Sequence, residues 1–115
     1  MIEIRRDGDD ELCGYVEERD GRWRALTVFG GLLGEHADRS WAEVDVSTRG
    51  LASLAERWRL VDDIEGTDEV VVVQEAQPGR VTVALAPYSI PGVPTRTLTA
   101  DELDGRTVRL TLDQT

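Results

Sequence analysis

An α+β fold, with a largely antiparallel sheet of about six to seven strands around one main helix, is what this sequence predicts, and three observations predict it. The dipeptide Asp20-Gly21 divides two apolar-rich runs, "ELCGYVEER" and "RWRALTVF", making residues 11–29 a hairpin with a two-residue turn. Trp41, Val44, Thr48, Leu51, Ala55 and Trp58 recur every three or four positions, the spacing of one helical face. Beyond residue 59 the chain turns to β-branched or alternating segments: "EVVVVQEA", "RVTVALAP" and "RTVRLTL". The expected order is β-β-β-β-α-β-β-β-(short helix)-β, with "IEIRR" and "WRLVDD" marginal as strands. A length of 115 residues fits one domain over 1–115, strands then helix in 1–58 and mostly strands in 59–115.

In the hairpin, the turn sets the register: Arg19 opposite Arg22, Glu18 opposite Trp23, Glu17 opposite Arg24, Val16 opposite Ala25, Tyr15 opposite Leu26. Alternation then puts Leu12, Gly14, Val16, Trp23, Ala25, Thr27 and Phe29 on one face and Cys13, Tyr15, Leu26 and Val28 on the other. Both faces are apolar at the base, so the ribbon is expected to be covered on both sides and central. Gly30-Gly31 suits a reverse turn that returns "LLGEH" as a further strand.

Ser40-Trp41-Ala42-Glu43 matches a capping box, which makes Ser40 the expected N-cap. The stripe from Trp41 to Trp58, widened by Leu54, is the expected core face. Gly50 weakens its middle by about 1 kcal/mol, which predicts one helix flawed near 47–50 or two short ones in series. Val70 to Val73 read as a strand buried on both faces. Gln77-Pro78-Gly79-Arg80 favours a type II turn, hence a bulge or wider loop between its strands. Thr99-Ala-Asp-Glu102 is a second capping box, opening a one-turn helix that Gly105 closes before the last strand, with Val108, Leu110 and Leu112 inward.

Three strands followed by a helix, over residues 11–58, resembles in layout the small DNA-binding domains of the integrase-arm type. Those domains present basic residues on the sheet, whereas here Arg24 faces Glu17 and the passage is net negative, so no function is carried across.

Charge constrains function most. The formal net charge is −10, with eight Arg against thirteen acids in 1–58 and five against ten in 59–115. A uniformly acidic chain is poorly suited to nucleic acid or to anionic membranes, both of which require cations. The absence of a signal-like start or a long apolar run predicts a cytoplasmic protein. Cys13, the one cysteine, reads as a small core residue. All basic residues are Arg, and Lys and Asn are absent, the codon bias of a high-GC bacterial genome.

Catalytic and cofactor signals are weak. Gly30, Gly31 and Gly34 precede Glu35 and His36, where a phosphate loop needs Lys and then Ser or Thr. Two Cys or His residues in total fall short of a zinc set, and neither "DGDDE" nor "DDIEGTDE" follows an EF-hand loop. His36 is the only imidazole, and Ser40 nearby is committed to the expected cap. No catalytic residue, metal or cofactor is assigned. The segment "APYSIPGVPTR" offers Tyr88, Ile90, Val93 and Arg96 as candidate binding residues, with a stiff inward-packed crossover as the competing reading. The expected function is a small acidic protein-binding adaptor or regulatory module without catalysis, its partner another protein, with a homodimer as one way to close an apolar patch. The alternative is an acidic inhibitor, of the immunity-protein or DNA-mimic type, against a basic partner. A small enzyme using His36 or turn carboxylates is third.

Overall fold

A computed structural model of the chain describes residues 1–85, 94–105 and 107–113. In chain order these form β1 (Ile2–Arg5), β2 (Leu12–Arg19), β3 (Arg22–Thr27), β4 (Leu32–His36), α1 (Arg39–Arg49), a 3-10 turn (Ala52–Ala55), β5 (Arg57–Asp62), β6 (Thr67–Gln77), β7 (Arg80–Leu85), β8 (Thr95–Thr99), α2 (Ala100–Asp104) and β9 (Val108–Leu112). All nine strands join one sheet in the order β1-β2-β3-β4-β9-β5-β6-β7-β8. Every neighbouring pair is antiparallel except β4–β9, which is parallel and meets at the single rung Leu32–Thr111. The fold is α+β, as the sequence predicts, but the strand count exceeds six to seven. The strand missing from the expected order is β8, a polar "TRTLT" segment with little apolar signal.

The hairpin β2–β3 has the predicted register, from Arg19–Arg22 down to Tyr15–Leu26. Asp20 and Gly21 both take positive φ (54° and 79°), the backbone that matches strand twist in a two-residue turn. Val16, Ala25 and Leu26 are buried and Tyr15 is half-buried, so both faces of the ribbon are at least partly covered. Cys13 is a buried core residue. The next turn is tied by the Thr27 N–H to the Gly31 carbonyl (2.9 Å), and β4 returns alongside β3.

Helix α1 departs from expectation in its cap and its rotation. Asp38, not Ser40, is the N-cap, and its side chain accepts from the Trp41 N–H at 3.0 Å. Glu43 pairs with Arg39 instead of returning to the cap. The buried residues are Ala42, Asp45 and Val46, while Trp41 and Val44 face solvent. Small side chains explain the choice: a helix can sit flush on β2–β4 only on a face that lacks bulk. Gly14 of β2 lies under Val46, and an added Cβ there would stand 3.0 Å from the Val46 side chain and 2.1 Å from the Leu26 carbonyl oxygen. The helix ends at Arg49, and the 3-10 turn follows in series, as the flaw at Gly50 predicts.

Trp58 is core, but from a strand. It sits in β5, edge to face with Phe29 at 5.4 Å between centroids, and its indole N–H donates to the Ser53 carbonyl. Of Val70 to Val73 only Val71 is buried, so β6 is covered mainly on one face. Gln77 pairs directly with Arg80, making the β6–β7 turn tight; the irregularity falls between Val73 and Glu75 instead. The second capping box forms as predicted: Thr99 caps α2, Glu102 reciprocates, and Gly105 follows. In β9, Val108 and Leu110 are buried and Leu112 half-buried.

The sheet bends back on itself. The Gly79 N–H reaches the Val28 carbonyl at 3.2 Å, and the Ala100 N–H reaches Gly79 at 2.9 Å, so the β6–β7 turn meets the β3–β4 turn. A shared apolar core that includes Val16, Phe29, Trp58, Val83, Leu98 and Leu110 joins the two arms. Among the described residues no helix is long and apolar enough to cross a membrane.

Candidate functional site

Three places combine polar chemistry with exposure, and α1 supplies the first. Its inner face is locked to β4 through Asp45. The carboxylate accepts from the Arg49 Nε at Oδ1 and, at 3.0 Å, from the Arg49 Nη2 at Oδ2, and His36 Nε2 meets the same Oδ2 at 2.8 Å. Arg49 also donates to the Leu33 carbonyl at 2.9 Å. Gly34 makes room for this cluster: a Cβ there would be 3.0 Å from Asp45 Oδ2 and 3.5 Å from His36 Nε2. Burial pushes the Asp45 carboxyl up, but hydrogen bonds from Arg49 and His36 outweigh it and hold the group below the ordinary carboxylate range. An imidazole on a carboxylate is half of a base relay. Here Arg49 shares the carboxylate, and Ser40 is exposed in the first turn of the helix, so the geometry is that of an anchor.

The outer face of α1 is of the opposite character. Trp41 is 64% and Val44 52% exposed, one turn apart, with exposed Ser40, Ser47 and Thr48 around them. The one exposed charge on α1, Arg39, is bound to Glu43 and lies over the Trp23 ring at 5.8 Å. The C-terminal end of α1 reaches the Cys13 carbonyl through Gly50, beside the start of β2. The turn leading into β2 carries exposed Asp7, Asp10 and Glu11. The C-terminal end of α1 thus lies near an acidic turn.

The residues singled out from the sequence lie elsewhere. Tyr88, Ile90 and Val93 are outside the described residues. Arg96 is in β8, and its Nη1 holds the buried Asp62 Oδ2 at 2.8 Å. Asp62 also accepts the backbone N–H groups of Ile64 (3.0 Å) and Glu65 (3.2 Å). The Glu65 amide and Arg96 are the main causes that hold its carboxyl below the ordinary range. The outward Trp41–Val44 pair is what the sequence reading missed. Its signal was the competing row of small residues, Ala42, Val46 and Gly50, at the same helical spacing.

The third place is a cleft of about 340 Å³ between the β2–β3 tip and β9, where Arg19, Arg22, Arg24 and Arg109 are matched by Asp20, Glu35 and Asp104. Among the described residues no group of three or more His, Cys, Asp or Glu is placed to hold a metal. No family model, curated protein or solved structure matches this chain.

Proposed function

We propose that this chain is a small, acidic, cytoplasmic protein-binding module without catalytic activity, and that it docks its partner on the outer face of α1. The exposure of Trp41 beside Val44 carries this reading. Large aromatic side chains bury 150–250 Å² each and dominate interface energetics, so one exposed beside a second apolar residue is suited to a contact surface. The partner is a protein with an apolar groove flanked by basic residues. The groove fits Trp41 and Val44 at helical spacing, and the basic flank complements Asp7, Asp10 and Glu11. The net charge of −10 steers such a partner in.

A second copy fits less well. The 11-residue helix is about 16 Å long. Two such helices packed together bury less than the roughly 1,000 Å² that a stable interface needs, and two copies of charge −10 repel.

The test places a photo-crosslinker at position 44 and compares affinity capture by the wild-type chain and a Trp41→Ser/Val44→Ser variant at two salt concentrations. The expected result is a basic protein that crosslinks at position 44 and is captured by the wild-type chain, its capture lost in the folded variant and weakened by salt. Capture that survives the double substitution and falls steeply with salt would support the acidic-inhibitor alternative instead. Concentration-dependent dimerisation abolished by the substitutions would make the partner a second copy.

A further inference from the structure

We draw no further inference here: the strongest candidate, the cavity of about 310 Å³ inside the curl of β5–β8, has core residues Leu60 and Val83 as its apolar lining, its Arg96 is held by Asp62, and its Glu65 and Glu69 are an acidic cluster beside which nothing in the structure points to a ligand.

Discussion

Each arm of the sheet buries one carboxylate, and the two are held by different means. In the arm β1–β4, Asp45 comes from α1 and is gripped by side chains alone, Arg49 from its own helix and His36 from β4. In the arm β5–β8, Asp62 is gripped by two backbone amides of its own turn and by Arg96 from β8. That strand lies three places away in the sheet order. The first arm is covered by a separate element that must be docked and oriented, so its lock is a side-chain cluster over a glycine floor. The second arm covers itself by curling, so its lock spans the curl. A docked helix has a free outer face to offer, and a curled sheet spends that face on closure. This is why the candidate docking surface is on α1.

The contrast can be broken most severely at the glycine floor. Gly14→Ala introduces a Cβ 2.1 Å from the Leu26 carbonyl oxygen at a φ of +154°, and the expected loss exceeds about 4 kcal/mol, read by chemical denaturation. If the variant keeps wild-type stability, α1 is not seated as described. Asp45→Ala removes the carboxylate from His36 and Arg49 and is expected to cost about 3 kcal/mol. The milder Gly34→Ala adds a Cβ 3.0 Å from Asp45 Oδ2, which the cluster absorbs by a small shift at a cost of about 1 kcal/mol.

Acid titration sharpens the comparison. Both Asp45 and Asp62 have folded pKa values below the unfolded one, so their stabilisation is present above about pH 4 and is lost as pH falls through the folded values. Melting temperature should drop below pH 4 in the wild type. Asp45→Asn and Asp62→Asn should each flatten part of that slope, and an unchanged slope in both would remove the two carboxylates from the account. The smallest effect is expected at Trp41→Ser, within about 0.5 kcal/mol of wild type, because the residue is on the outside of the fold.

Much of this architecture was legible in the residues, and the boundary has a physical reason. The Asp20-Gly21 hairpin and the Thr99–Glu102 capping box were readable because both are decided within a few residues, by φ preference or by one side chain reaching one amide. The Asp38 cap was obscured by Ser40, which presents the same chemistry two positions later. The rotation of α1 was not legible, since Trp41-Val44-Thr48 and Ala42-Val46-Gly50 are equally helical rows. Strand β8 was missed because "TRTLT" alternates threonine with one leucine and one arginine, too little apolar signal for an edge strand.

By itself the chain determined most of its strands, the two-residue turn at Asp20-Gly21 and its two helices, through contacts no more than a few residues apart. Only the tertiary structure decided that Trp41 faces water, that Asp45 faces His36, and that Arg96 crosses to Asp62. Those outcomes depend on which surface is flat enough to receive a helix and on how far the sheet bends. Both are set by packing between segments distant in sequence, which local preference does not encode.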